Sequence, residues 1–136
     1  GLLKVVSQSG QTVFEPTFQE EDRLPAAASY LTIQILKGVL SQGTAKAAAL
    51  SGLPIQNMAG KTGTTNDYKD AWFVGFTPSL LTLVWVGYDE EENVGLTGSA
   101  AALPVWIDYM KRATPFYHEE DFKIPDGILE FRVNPK

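Results

Sequence analysis

Three β-like segments, residues 58–65, 71–76 and 80–88, follow one another with links of only a few residues. Links that short cannot carry a parallel crossover, which needs a dozen or more residues, so antiparallel neighbours are expected. The third segment is rich in β-branched and aromatic side chains, and Thr77-Pro78 supplies a turn before it. Upstream, Ala28, Leu31, Ile35, Leu36, Val39 and Leu40 recur at spacings of one, three and four, giving a helix one apolar face. Pro25 suits the first turn of that helix and Gly43 its stop. Residues 44–50 are alanine-rich and read as a brief second helix, with Thr44 as cap and Gly52 as terminator. Helical spacing returns over 99–112 through Ala102, Leu103, Trp106, Tyr109 and Met110, and Pro104 puts the true start near Leu103.

Before the first helix, residues 2–6 and 12–14 read as strands of a hairpin around the Ser9-Gly10 turn, and 15–23 as a connecting loop. Residues 128–133 could form a final strand. The expected fold class is α+β, a mixed α/β arrangement of helices packed on an antiparallel sheet. One domain portion covers residues 1–114, and a loosely specified tail covers 115–136. At 136 residues the chain has the size of a single domain.

Charge narrows the partners. A net charge of −5 with scattered Lys and Arg argues against nucleic acid, whose backbone demands clustered cations. The absence of cysteine excludes a disulfide scaffold, a thiol nucleophile and thiolate metal sites. With one histidine, His118 in the polar tail, no metal site is expected, and no cofactor is implied. Glu90-Glu91-Glu92 and Glu119-Glu120-Asp121 read as loop charges, and Trp72, Trp85 and Trp106 as sheet and helix core. The longest nearly apolar run, residues 80–86, is far short of a membrane span, and no signal peptide is visible.

The chemistry concentrates in Ala59-Gly60-Lys61-Thr62-Gly63-Thr64-Thr65. Gly60-Lys61-Thr62 matches the end of a phosphate-binding loop, but that pattern needs a glycine where Ile55 stands and a helix where Gly63, Thr64, Thr65 and Asn66 follow. A plain solvent-facing edge is the bland alternative. Glycine inside a strand often marks close approach of another backbone, and hydroxyls on both sides of it suit an edge that accepts a peptide. Thr62 and Thr64 can hydrogen-bond a terminal carboxylate, Lys61 supplies the positive field, and a strand N–H can donate to a carbonyl becoming an oxyanion. Strict alternation would put Lys61 and Gly63 on one face and Thr62 and Thr64 on the other.

The longer block resembles a family. Residues 59–67, followed by Asp70-Ala71-Trp72-Phe73-Val74-Gly75-Phe76-Thr77-Pro78 and Val84-Trp85-Val86-Gly87-Tyr88-Asp89, look like the C-terminal part of a class A penicillin-binding protein transpeptidase domain. Lys37-Gly38-Val39, Gln42-Gly43-Thr44-Ala45, Gly95-Leu96-Thr97-Gly98 and Pro104-Val105-Trp106 fit it in the same order, and the likeness covers residues 1–112. Lys-Thr-Gly alone is shared with serine β-lactamases and carboxypeptidases. The resemblance implies a DD-transpeptidase that cross-links peptidoglycan stem peptides through an acyl-serine intermediate. Lys61 would match the motif lysine that supports the proton network and the substrate carboxylate, and the Thr64 N–H one oxyanion donor. Thr62 and Thr64 would bind the substrate carboxylate, Gly63 would leave room for substrate, and Thr65 would stand at the cleft margin. The D-Ala-D-Ala end of a stem peptide and β-lactam antibiotics are the implied partners. The implied location is the extracytoplasmic face of the cell membrane, with an anchor upstream.

The family also needs Ser-x-x-Lys, which carries the nucleophile, and Ser-x-Asn. Ser7, Ser29, Ser41, Ser51 and Ser79 lack a lysine three residues on, and Ser9 and Ser99 lack the asparagine two residues on. Both motifs belong upstream by family order. The chain is therefore expected to be a C-terminal fragment, inactive alone, whose apolar surface needs the upstream half of the same protein or another copy of itself. A non-catalytic penicillin-binding-like recognition or scaffold module is the alternative of another class. A serine β-lactamase or carboxypeptidase is the enzymatic one.

Overall fold

The structure is a computed structural model describing residues 4–15, 17, 24–90, 92–117 and 120–131. Two strands, β1 (Val5–Val6) and β2 (Thr12–Phe14), form an antiparallel hairpin around Gly10. Helix α1 (Ala26–Ser41) follows, with Pro25 at its N-cap, one position outside the first turn expected for it. Gly43 lies just past the helix, but its φ is not in the left-handed region. It is needed for closeness instead: a Cβ there would stand 2.8 Å from the Val39 Cα.

The second helix, α2 (Ala47–Leu50), is shorter than its alanine run, and no side chain caps it. Thr44 is not its cap. Its hydroxyl lies 2.9 Å from that of Thr62, so a tertiary partner has displaced the local one. Gly52 does terminate the turn, with φ +80°.

The three expected strands are β3 (Ala59–Thr64), β4 (Ala71–Phe76) and β5 (Leu81–Val86). They form one antiparallel sheet in the order β3-β4-β5, with Lys61 opposite Val74 and Trp72 opposite Trp85. Helix α3 (Ala102–Ala113) lies on β4 and β5, and α1 packs along β3. Alternation along β4 buries Ala71, Phe73 and Gly75 and leaves Trp72, Val74 and Phe76 half-buried.

The buried face carries the core. Phe73 meets Trp106 edge-on at 4.9 Å, surrounded by Leu40, Leu53, Met58, Leu103 and Met110. A Cβ on Gly75 would fall 2.3 Å from the Trp106 ring, so a glycine is what admits the indole to the sheet. Trp106 is thus core, as the sequence suggests, but Trp85 is not: it is 41% exposed and leans on Trp72 at 5.9 Å. Apolar surface is exposed elsewhere too, at Val13 and Phe14, at Leu31 and Ile35 on α1, and at Leu81 and Leu83 on β5.

The tail returns to the body. Phe122 stands edge-on to Phe76 at 5.9 Å, and the Tyr30 hydroxyl donates to the Glu130 carboxylate at 2.5 Å. Residues 128–131 join no strand ladder; the remainder of the expected final strand, most of the 15–23 loop, His118, Glu91 and Glu119 lie outside the described residues. The bond to Glu130 raises the Tyr30 pKa, helped by burial and nearby carboxylates. A raised folded value means the contact contributes fully below the ordinary tyrosine pKa and is lost only as pH rises through the folded one. Tyr30→Phe should therefore free the tail at neutral pH. Limited proteolysis should then cut faster within residues 120–131 while the sheet stays protected; an unchanged cleavage pattern would contradict the tether.

Candidate active site

β3 is an edge of the described sheet, paired only with β4. Ala59 and Gly60 are buried and anchor it, because a Cβ on Gly60 would meet the Phe73 ring at 2.8 Å. Beyond them the strand emerges: Lys61 is exposed, Thr62 and Gly63 half-buried, Thr64 exposed. Directly paired residues share a face, so Lys61 and Gly63 stand with Val74 and Trp72, and Thr62 and Thr64 with buried Phe73 and Ala71. The alternation expected from the sequence holds.

Each of the three polar side chains has a hydrogen-bond partner within the fold. Lys61 Nζ donates to the Thr62 carbonyl at 2.7 Å and lies 3.5 Å from the Thr62 hydroxyl, folded along its own strand. Thr62 Oγ1 pairs with Thr44 Oγ1. Thr64 Oγ1 accepts the Gly98 amide at 3.1 Å, which occupies one lone pair and leaves the O–H proton as a donor. That bond needs a glycine at 98: a Cβ there would stand 2.3 Å from the Trp72 carbonyl oxygen and 2.5 Å from that of Gly63. Gly63 itself faces Trp72, whose Cβ would be 3.1 Å from an added methyl.

Thr65 is placed differently from its neighbours. Its hydroxyl accepts the Asp70 amide at 2.8 Å and donates to Asp70 Oδ2 at 3.1 Å, closing the β3–β4 loop. The Thr65 hydroxyl is thus committed to the loop. Asp70 in turn accepts Trp85 Nε1 on Oδ1 at 2.8 Å.

Thr44, Asp70, Trp85 and Gly98 are the supporting residues that sequence reasoning did not assign to the site. All four stand inside the quoted family blocks, which is the one signal the sequence offers for them. Among the described residues, no group of His, Cys, Asp or Glu is arranged to hold a metal ion. No helix among them is long and apolar enough to cross a membrane.

This strand, with a cation and two hydroxyls beside a bare glycine on an unpaired edge, can hold an extended peptide and polarise its carbonyl. Comparison with known proteins converges on one group. The family described as penicillin binding protein transpeptidase domain matches residues 3–111. Penicillin-binding protein 1A of Aquifex aeolicus (strain VF5) is 42% identical over 99% of the chain, and that of Pseudomonas aeruginosa 39% over 96%. The chain spans only 18% and 16% of those relatives' lengths. The crystal structure of penicillin-binding protein 1A from Haemophilus influenzae superposes on 98% of the chain with a TM-score of 0.68 and 25% identity, covering 26% of that protein.

Proposed function

Because the chain belongs to the penicillin-binding protein transpeptidase domain family, we propose that it supplies the substrate-gripping strand of a class A peptidoglycan DD-transpeptidase. The observation that carries this reading is the Lys61–Thr64 segment on an unpaired strand edge within the matched domain. The nucleophilic serine comes from the upstream half of the same protein, which also covers the apolar surface exposed on α1 and β5.

In this reading a stem peptide lies along β3 with its D-Ala-D-Ala carboxylate near Lys61 and the Thr62 and Thr64 hydroxyls. Lys61 contributes positive charge, and Thr64 donates the proton that its bond to Gly98 leaves free. The upstream serine oxygen attacks the penultimate carbonyl, and the Thr64 N–H donates to the oxygen as it turns anionic. Collapse breaks the peptide bond, D-Ala leaves with a proton on its amine, and an ester joins the peptide to serine. An amine of another stem peptide attacks that ester, gives up its proton, and restores the serine hydroxyl. Gly63 keeps the strand flat enough for the peptide backbone to approach. A β-lactam mimics the D-Ala-D-Ala end and acylates the same serine. The protein works on the extracytoplasmic side of the cell membrane, anchored by a segment upstream.

Labelling with a fluorescent penicillin tests this. The full-length protein should take up covalent label, mapped by proteolysis to a serine outside residues 1–136. The chain alone should take up none. Stable acylation within these residues would contradict the division of labour, and an unlabelled full-length protein would instead favour a recognition or scaffold module.

A further inference from the structure

Within the transpeptidase reading, on which this inference rests, we propose that Asp70 is a positioning residue that fixes the Thr64–Thr65 end of β3 by locking it to Trp85 on β5. Four hydrogen bonds meet at Asp70. Its amide donates to the Thr65 hydroxyl, its Oδ2 accepts from that hydroxyl, and its carbonyl accepts the Thr65 amide at 3.1 Å. Its Oδ1 accepts the Trp85 indole N–H at 2.8 Å. The carboxylate thereby joins Thr65, one residue past the end of β3, to Trp85 of β5 across β4.

The loop it closes is costly to hold. Asp67 and Tyr68 are consecutive non-glycine residues with φ of 60° and 55°, a left-handed conformation that persists only when the surroundings over-determine it. The bonds at Asp70 supply part of that determination, and the Gly95 amide adds another at the Tyr68 carbonyl. Trp85 is itself held. Its indole lies over Gly87, where a Cβ would stand 2.4 Å from the ring, and leans on Trp72. Trp72 is the direct partner of Gly63. A continuous set of contacts therefore runs from the Asp70 carboxylate through two indoles to the middle of the substrate strand. Asp70 itself touches none of Lys61, Thr62 and Thr64 through the bonds described, so any effect it has on the reaction acts through placement of β3.

The test uses the full-length protein and the saturation kinetics of β-lactam acylation, which separate non-covalent binding from the acylation step. Asp70→Ala should slow the acylation step by about tenfold or more, because small misplacements of reacting groups are that costly. Its non-covalent dissociation constant should stay within about twofold of wild type. Asp70→Asn keeps an acceptor for the Trp85 N–H and should recover part of the loss. Trp85→Phe keeps an aromatic ring but removes the donor, and should slow acylation about three- to tenfold. Combined with Asp70→Ala it should add nothing further. If Asp70→Ala fails to fold, Trp85→Phe decides alone. Acylation unchanged in all variants, or a loss confined to the dissociation constant, would overturn the positioning role. A wild-type protein that is never acylated would instead overturn the transpeptidase reading and this inference with it.

Discussion

Replacing Trp106 with alanine is expected to destabilise the fold by about 3–5 kcal/mol, the usual range for truncating a large buried aromatic. Trp106 is fully buried, meets Phe73 edge-on, and fills the space that Gly75 leaves by lacking a Cβ. A cavity of indole size at that point would sit directly beneath β4, and Phe73 of β4 is the register partner of Thr62. Since whole domains are stable by only about 5–15 kcal/mol, the loss is a large share of the total. Two companions sharpen the reading. Gly75→Ala pushes a methyl into the same indole and should cost about 1–3 kcal/mol through overpacking. Trp106→Phe leaves a smaller void and also removes a buried Nε1 that has no hydrogen-bond partner among the described residues, so its cost should fall below that of alanine. Joined to Gly75→Ala, it should give less than the sum, because the smaller ring makes room for the methyl. Denaturant unfolding of the full-length protein, followed by loss of penicillin labelling as a domain-specific probe, measures all four. A Trp106→Ala protein that keeps its unfolding midpoint would show that this contact is not the centre of the core.

What the sequence made legible was local. The short links between residues 58 and 88 forced an antiparallel order, and the apolar spacing of α1 and α3 gave their positions to within a few residues. Strict alternation also puts Lys61 and Thr62 on opposite faces, in agreement with their register partners Val74 and Phe73. The misses share a physical cause. The sequence makes Thr44 a helix cap because caps are local, yet its hydroxyl pairs with Thr62, eighteen residues on. The sequence makes Trp85 core because large aromatics bury area, yet it is half in solvent with its N–H on Asp70. Tyr30 and Glu130 are a hundred residues apart and carry no periodic signal. Polar contacts of that span depend on the assembled fold, and no window of sequence encodes them. The Lys61–Thr64 strand is legible as a motif, while the bonds that hold it in place are not.

Loss of Lys61 is the second large effect, and here the expected damage is to chemistry with the fold intact. Lys61 is exposed, and its ammonium bonds the Thr62 carbonyl and hydroxyl on the same strand. Lys61→Ala should therefore leave the unfolding midpoint of the full-length protein nearly unchanged. Acylation by penicillin should nevertheless fall by about 10²–10⁴, the range for removing a group that supports proton transfer in the transition state. Lys61→Arg separates the two duties assigned to this residue. Arginine keeps the positive field for a substrate carboxylate but stays protonated throughout, so it cannot pass a proton on. If Lys61 acts only through its field, the arginine variant should regain most of the acylation rate. If it also serves the proton network, binding should recover while the acylation step stays slow. An alanine variant that acylates at the wild-type rate would remove Lys61 from the site, and with it the reading of β3 as the substrate-gripping strand.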